Sequence, residues 1–353
     1  MANILIDVGH PAHVHLFRGA ARDWTAAGHQ VLFTALDREI ILDLLRIYHL
    51  PYCVTYKRRK GTLAKVVELV FRTVSTYRIA RDFKADLFVS FGNPTVGLPA
   101  KLMGKPYIAL TDTEHATEQH ALFKPFATVI ATPDVFNRDL GPKQARYAGF
   151  HELAYLHPDE FTPDPHELDS LGLKPEDRFF VVRFVAWDAS HDIGQHGFTA
   201  DDKRELLREL SKRGRVLLSV ESSDIDPEFR SLVTTFPPEK AHHLLAFATL
   251  YIGEGGTMLT EAALLGTPAI FVSTLRAGNW DHLRDKYGLL YFFDTGREGL
   301  AKALELLAMP DLKSVWAKRR AKMLADKINP TPWLVELGNR LLENPHYTPK
   351  PTA

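Results

Sequence analysis

Short apolar runs rich in β-branched and aromatic residues alternate with longer amphipathic stretches through the amino-terminal part of the chain. The runs predict strands, and the stretches between them predict helices. Alternation of this kind indicates a parallel sheet covered by helices on both faces. The predicted strands are 4–8, 31–36, 52–56, 87–91, 107–111 and 128–132.

The same pattern restarts after a polar segment, 157–165, that contains three prolines. Proline disfavours helix interiors, and polar residues suit an exposed linker, so we place a domain boundary there. We predict an amino-terminal domain at 1–157, a carboxy-terminal domain at 166–330 and a last helical segment at 331–345. The fold class is α/β with two doubly wound parallel sheets. The strands predicted in the second sheet are 179–184, 216–221, 250–253, 269–273 and 289–293.

Length and composition agree with two soluble domains. The chain has 353 residues, 45% of them hydrophobic, and a formal net charge of zero, so no global field favours nucleic acid as a partner. The single cysteine, Cys53, excludes a disulfide framework and fits a reducing cytoplasm. Neither a signal peptide nor an apolar run of about 18 residues is present, so we expect a cytoplasmic protein.

A glycine turn between a predicted strand and a predicted helix carries the strongest candidate chemistry. Gly255 and Gly256 lack a Cβ, so the backbone there can approach a phosphate while the first helical amides point at it. Thr257 is placed to cap the helix or to contact a phosphate oxygen. Glu261 lies one turn further on the same face, where it can reach a ribose diol. The alternative is a tight turn whose glutamate only complements the helix dipole.

Two other phosphate-binding motifs fit this chain less well. A dinucleotide fingerprint starting at Gly253 requires a small residue at Met258 and an acid about 20 positions further on, where Ser273 stands. A Walker loop requires Ser or Thr after Gly104-Lys105, where Pro106 stands. The spacing therefore favours a nucleotide sugar as ligand.

The segment GEGGTMLTEAALLGTPAI, 253–270, resembles the carboxy-terminal signature of the GT-B superfamily. That superfamily includes UDP-N-acetylglucosamine 2-epimerases and the peptidoglycan N-acetylglucosaminyltransferase. The whole chain resembles a functionally uncharacterised prokaryotic family assigned to it. The resemblance implies two Rossmann-like domains facing a cleft, a donor nucleotide held by the second domain, and a last helix that returns to the first.

The same resemblance implies site residues. Gly255, Gly256 and Thr257 would hold the diphosphate, and Glu261 would hold the ribose hydroxyls. Asn279 and Asp281 would face the donor sugar, with a helix cap as the alternative for Asn279. A contact with the base is implied around residues 183–186, above all at Arg183, although this sequence lacks the transferases' glycine-rich loop at that point.

The loop after the first predicted strand contains Gly9 and three histidines: His10, His13 and His15. A metal site is disfavoured because His13 and His15 project about 200° apart on a helix. We expect Gly9 to lie near the ligand. His10 or His13 is then a base or a hydrogen-bond donor to substrate, or else a cap of the helix.

A second group of polar residues, Thr111 to His115, ends a later strand of the same domain. Buried charges need partners, so Asp112 and Glu114 are expected to face the cleft. Either carboxylate can deprotonate an acceptor hydroxyl or act as the base of an epimerase. The alternative is an N-cap followed by a helix-start acid.

The segment 57–84 contains nine basic residues and two acids, which gives a local charge of +7. Its apolar residues recur at helical spacing, which is more often typical of a core-facing helix than of a membrane anchor. A basic amphipathic helix can also attract an anionic lipid surface or a phosphorylated acceptor. Metal dependence is not expected, because the Asp224-Ile225-Asp226 motif is read as an exposed turn.

These observations predict a glycosyltransferase that uses a nucleotide-diphosphate sugar, in a setting such as cell-envelope polysaccharide synthesis. The nucleotide sugar is the substrate and no cofactor is expected. The acceptor is open, with lipid-linked or anionic molecules as alternatives. Two other functions remain: an NDP-hexosamine 2-epimerase, which needs the same donor site but no acceptor, and a non-catalytic nucleotide-sugar-binding protein.

Overall fold

The computed structural model describes residues 1–57, 62–185, 196–221 and 225–348, with the backbone alone given at 39, 57 and 62–66. The chain divides into two compact units. Unit 1 comprises residues 1–160 and 327–353, and unit 2 comprises residues 161–326. The first boundary falls inside the proline-containing segment 157–165.

Unit 1 is built on a parallel sheet of seven strands in the order β3-β2-β1-β4-β5-β6-β7. The strands are β1 (Asn3–Val8), β2 (Gln30–Asp37), β3 (Tyr52–Lys57), β4 (Leu87–Ser90), β5 (Tyr107–Leu110), β6 (Val129–Pro133) and β7 (Gln144–Tyr147). The helices are α1 (Pro11–Ala26), α2 (Glu39–Ile47), α3 (Thr62–Phe83), α4 (Pro94–Leu102), α5 (Thr117–Phe123) and α6 (Leu153–Leu156).

The six strands predicted in this unit are confirmed, and β7 is an addition. The four residues of β7 alternate between half-buried and buried positions at the edge of the sheet. Gln144 and Arg146 interrupt its apolar pattern, which is why hydrophobicity alone does not reveal it.

Unit 2 contains a parallel sheet of five strands in the order β12-β11-β10-β8-β9. The strands are β8 (Phe179–Phe184), β9 (Arg215–Val220), β10 (Leu250–Gly253), β11 (Ala269–Val272) and β12 (Leu290–Phe293). The helices are α7 (Ala200–Ser211), α8 (Ala241–Phe247), α9 (Gly256–Leu265), α10 (Gly278–Asp285), α11 (Gly296–Leu307) and α12 (Leu312–Asp326). All five predicted strands are present, so the α/β fold class with two parallel sheets is confirmed.

The last helix, α13 (Pro330–Glu343), belongs to unit 1 and packs against α1. It begins with Asn329, whose side chain accepts a hydrogen bond from the Thr331 amide at 2.9 Å, and Pro330 then occupies the first helical position. Gly338 allows close packing, because a Cβ there would lie 2.6 Å from the ring of Trp24. The Asn329 cap therefore defines the start of this helix, and the absence of a side chain at Gly338 lets it pack closely against Trp24 of α1.

The apolar face of α3 departs from the prediction that it is core. Val67, Val70, Phe71 and Val74 are exposed by 45%, 56%, 59% and 41%. Their spacing places them on one face of the helix, and that face is turned to solvent. Among the described helices, none has both the length and the apolar content needed to cross a membrane.

Candidate functional site

The amino terminus of α9 is the centre of the candidate site in unit 2. Strand β10 ends at Gly253, and Gly255 is the N-cap of α9, with an extended backbone at φ −94° and ψ 115°. The first hydrogen bond of the helix runs from the Leu259 amide to the Gly255 carbonyl at 3.1 Å. The amides of residues 256–258 precede it and point out of the helix, where the helix dipole favours an anion. Thr257 is exposed in this first turn and is not the cap.

Arg183 places a positive charge beside this helix terminus. It lies at the end of β8, and a Cβ built on Gly255 would be 3.3 Å from its Cδ and Nε atoms. The guanidinium donates a hydrogen bond to Ser219 Oγ at 3.0 Å and pairs with Glu221. A cation held next to unpaired helical amides is suited to binding phosphate.

The two glycines of the turn lie in different surroundings, so a side chain at each would meet a different neighbour. A Cβ on Gly256 would lie 2.5 Å from the ring of Trp280, so only glycine fits beneath this ring. Trp280 is fixed in place because its Nε1 donates a hydrogen bond to Thr260 Oγ1 at 3.0 Å. Gly256 is therefore required by packing, whatever ligand binds, whereas Gly255 faces Arg183. Their predicted contact with a diphosphate stays a prediction.

Glu261, the predicted ribose ligand, is 6% exposed. Its Oε1 lies 3.1 Å from Nε2 of His242, which is 3% exposed. His242 comes from α8, so the pair joins two helices of unit 2. The ribose contact stays a prediction, but any such contact involves a carboxylate already oriented by a histidine.

Glu254 is a site residue that sequence reasoning missed. It is 3% exposed, and its carboxylate accepts hydrogen bonds from the amides of Val185 at 3.1 Å and Phe198 at 2.9 Å. Lys203 Nζ lies 3.6 Å from the same carboxylate. Glu254 thus anchors the backbone that follows β8 to the end of β10. An acid directly after a buried strand was the available signal.

Asn279 and Asp281 both lie on α10, beside Trp280. The N-cap of α10 is Ala277, so the capping alternative for Asn279 is wrong. Asn279 is 8% exposed and its Oδ1 accepts a hydrogen bond from the Trp280 amide at 3.0 Å. Asp281 forms an ion pair with Arg284 at 3.1 Å. Ala186, the last residue of the predicted base-contacting stretch, lies outside the described residues.

In unit 1, the loop between β1 and α1 orients two histidines. His10 is the N-cap of α1, and its Nδ1 accepts a hydrogen bond from the Ala12 amide at 3.2 Å. Nδ1 of His13 accepts one from the Gly9 amide at 3.3 Å. An amide can only donate, so the proton of each neutral ring resides on Nε2. This makes His13 a hydrogen-bond donor through Nε2.

An aromatic stack continues from His13 through the unit. The His13 ring stacks on Phe91 at 4.7 Å between centroids, and Phe91 meets His151 edge to face at 5.1 Å. His10 lies 5.8 Å from His13. Burial lowers the pKa of His13 well below its usual value, and the nearby His10, His151 and Arg38 lower it further. Neutral His13 is therefore the dominant form near pH 7.

His151 was missed because it follows β7, the unpredicted strand. It is 4% exposed and its Nδ1 contacts the Tyr147 hydroxyl. Burial lowers the pKa of His151, against the opposing effects of the Asp112 carboxylate and the Thr111 backbone. Asp112 is thus close enough for its charge to act on this imidazole.

The two acids predicted to face the cleft have different hydrogen-bond partners. Asp112 accepts a hydrogen bond from Thr113 Oγ1 at 3.0 Å and lies near His151. Glu114 instead accepts one from the Asn137 amide at 3.3 Å, in the loop after β6. The charge of Asp112 acts on the His151 imidazole.

Asp7 is a third residue that sequence reasoning missed. It lies in β1, is 1% exposed, accepts a hydrogen bond from Thr34 Oγ1 at 2.8 Å and contacts the Asn93 amide group. Arg72 of α3 lies 3.8 Å away. Burial raises the pKa of Asp7, and Arg72 opposes this rise. Since Asn93 also caps α4, Asp7 ties α3, α4 and β1 together beneath the Gly9 loop.

The Asp224-Ile225-Asp226 motif, which is predicted to be an exposed turn, is described only in part. Asp226 caps a short 3-10 turn, Pro227–Leu232, and pairs with Arg204 at 3.0 Å, whereas Asp224 lies outside the described residues. Within the described ranges, no group of three or more His, Cys, Asp or Glu side chains is arranged to hold a metal ion.

Residues 2–291 match the model of a family described as "Protein of unknown function (DUF354)", and the chain belongs to that family. The chain is 24% identical over 282 residues to the uncharacterized protein MJ0665 of Methanocaldococcus jannaschii. The match spans 76% of this chain and 81% of that protein.

Solved structures with a similar fold match nearly the whole chain. S. aureus MnaA in complex with UDP has a TM-score of 0.70 at 11% identity, over 100% of each chain. A UDP-N-acetylglucosamine 2-epimerase has a TM-score of 0.68 at 14% identity, over 100% of this chain and 98% of that one. The Streptomyces sp. SF2575 glycosyltransferase SsfS6 with thymidine diphosphate has a TM-score of 0.63 at 16% identity, over 96% and 100%. The fold is therefore GT-B-like, as the sequence resemblance implies.

Proposed function

We propose that this protein is a glycosyltransferase that uses a nucleotide-diphosphate sugar as donor. The observation that carries the proposal is the exposed amino terminus of α9, with Gly255 as its N-cap and the Arg183 side chain against it. The neighbours that bind UDP or thymidine diphosphate support a nucleotide-sugar ligand for this fold.

The chemistry of transfer requires that negative charge on the departing diphosphate be offset. Two kinds of group offset that charge: the amide N–H donors of Gly256 and Thr257, and the cationic guanidinium of Arg183. Glu261, oriented by His242, accepts hydrogen bonds from the ribose hydroxyls in this proposal. Asn279 and Asp281 are assigned to the sugar.

Unit 1 is assigned the proton transfer. Asp112 is the proposed base for the acceptor hydroxyl, because a carboxylate can accept a proton while His13 presents Nε2–H as a donor. Glu114 and His10 stay as further candidates from the sequence. Gly9 leaves room for a ligand beside the two histidines.

The second candidate function is a nucleotide-sugar 2-epimerase. Two observations favour it: the UDP-N-acetylglucosamine 2-epimerase aligns over all of this chain, and its TM-score of 0.68 exceeds the 0.63 of the glycosyltransferase. An epimerase would use Asp112 at the sugar and would require no acceptor.

One experiment separates these functions. The full-length protein is incubated with UDP-, GDP-, dTDP- and CDP-sugars, and the sugar signals are followed by NMR before and after addition of a cellular lipid extract. Release of nucleoside diphosphate only with extract supports transfer, provided that the release is lost in the Asp112→Asn variant. Epimerised or eliminated sugar without extract supports the epimerase. Binding without turnover identifies a nucleotide-sugar-binding protein, and absence of binding contradicts the proposal.

A further inference from the structure

The exposed face of α3 has a consistent composition along its length. Val67, Val70, Phe71 and Val74 occupy it in the first part, and Arg78 and Arg81 continue the same face at the next helical positions. We name these six residues the α3 surface. All six are exposed, and Arg81 is exposed by 63% of its side chain.

The α3 surface is not an incidental exposure of core residues. The opposite face of the same helix is buried, since Thr76 and Ala80 have no exposed surface and Arg72 reaches Asp7 beneath β1. The helix therefore packs on unit 1 through residues other than the four exposed apolar ones. Tyr56 of β3 stacks on Phe71 at 6.3 Å between ring centroids, which holds the phenyl ring in place at the surface.

The arginines of the α3 surface indicate what kind of partner binds there. Arg78 is positive, Arg81 is only partly offset by an exposed pair with Asp82, and the one other acid of α3, Glu68, is turned to Arg72. An apolar strip continued by cations matches a membrane interface, where acyl chains accept valine and phenylalanine and anionic headgroups accept arginine. Two copies of the surface would instead bring like charges together.

We propose that the α3 surface docks the protein on anionic lipid bilayers. The apolar residues enter the interface between headgroups and acyl chains, and Arg78 and Arg81 bind the headgroup phosphates. This inference does not depend on the enzymatic activity proposed above, because it rests only on unit 1 and its α3 surface.

The test is vesicle flotation of the full-length protein, with phosphatidylcholine vesicles compared with vesicles containing phosphatidylglycerol. We expect binding to the anionic vesicles only, weakened by salt. Arg78→Gln/Arg81→Gln should weaken binding by about five-fold per arginine. Val70→Ser/Phe71→Ser should weaken it by about tenfold or more. Circular dichroism and thermal unfolding check that each variant is folded.

Matched controls carry the same chemical changes elsewhere. Leu98→Ser/Leu102→Ser removes two exposed apolar residues from α4, which are exposed by 39% and 65%. Arg208→Gln/Arg213→Gln removes two charges from unit 2. Both controls should bind like the unaltered protein.

Three results would overturn the inference: no flotation with anionic vesicles, equal flotation with neutral vesicles, or equal losses in the controls. Analytical ultracentrifugation adds a fourth. A dimer that Val70→Ser/Phe71→Ser converts to monomer, without vesicle binding, would assign the α3 surface to a second copy of the chain. The arginine variant decides the outcome if the apolar variant does not fold.

Discussion

Nε2 of His242 lies 3.1 Å from Oε1 of Glu261, with both side chains buried in unit 2. Glu261 follows the exposed start of α9 by one helical turn, so the pair links the predicted ribose ligand to α8. A carboxylate held by a histidine keeps one orientation, and less conformational freedom is lost when a ligand binds.

Removing this carboxylate should weaken nucleotide binding. For Glu261→Ala, we expect a loss of about 1–3 kcal/mol in the binding free energy of a nucleoside diphosphate, because the ribose hydroxyls lose their acceptor. Isothermal titration calorimetry measures it. Glu305→Ala, which alters an exposed glutamate on α11, serves as control. Unchanged affinity in a folded Glu261→Ala protein would refute the ribose assignment.

The two glycines of the α9 turn should differ when replaced by alanine. Gly256→Ala places a methyl group 2.5 Å from the Trp280 ring, so the ring must move and its hydrogen bond to Thr260 is disturbed. We expect a loss of about 1–3 kcal/mol in unfolding free energy. Gly255→Ala meets the flexible Arg183 side chain at 3.3 Å and should cost less. Urea unfolding compares them, and equal losses would contradict the packing account.

Arg72 should matter for stability because it faces a buried carboxylate. Arg72→Leu leaves Asp7 without its cation, and we expect a loss of about 3 kcal/mol in the free energy of unfolding. Asp7→Asn in the same chain removes the charge that needs a partner, so part of the loss should be regained. A double-mutant cycle measures the coupling. Strictly additive losses would show that the two side chains do not interact.

His151 should contribute to the pH dependence of stability. Its pKa is lowered in the folded protein by burial, so its stabilising contribution is present above the usual value of 6.5 and is lost as pH falls through 6.5 toward the folded pKa. Below pH 6.5, His151→Gln should flatten the fall in unfolding free energy by up to about 1.4 kcal/mol per pH unit. Urea unfolding at several pH values tests this, with the exposed His346→Gln as control. An unchanged slope would contradict it.

The sheet, the turn and the start of α9 were predictable because each depends on short-range patterns. Strand β10 is a continuous apolar run, and β8 is apolar except for Arg183. Gly255 follows a strand and precedes a helix, so hydrophobic patterning and glycine chemistry locate these elements. His10 and His13 were placed near a strand end by the same reasoning.

The partners of these residues were not predictable, because they come from distant parts of the chain. No local pattern pairs Glu261 with His242, brings Trp280 onto Gly256 or places Arg72 beside Asp7. His151 was missed for a further reason, since β7 has too few apolar residues to be recognised as a strand. The apolar residues of α3 are exposed against the prediction, because periodicity identifies an apolar face without showing what covers it.

The central claim is that the amino terminus of α9 binds a diphosphate, and Thr257 offers the most direct measurement. Thr257→Asp puts a carboxylate at an exposed position in the first turn, where it favours the helix dipole but repels phosphate. Thr257→Asn is the neutral control of nearly equal size. Calorimetric titration with nucleoside diphosphates should show affinity reduced roughly tenfold or more in Thr257→Asp relative to Thr257→Asn, with thermal stability retained. Equal affinities in the two folded variants would contradict the claim.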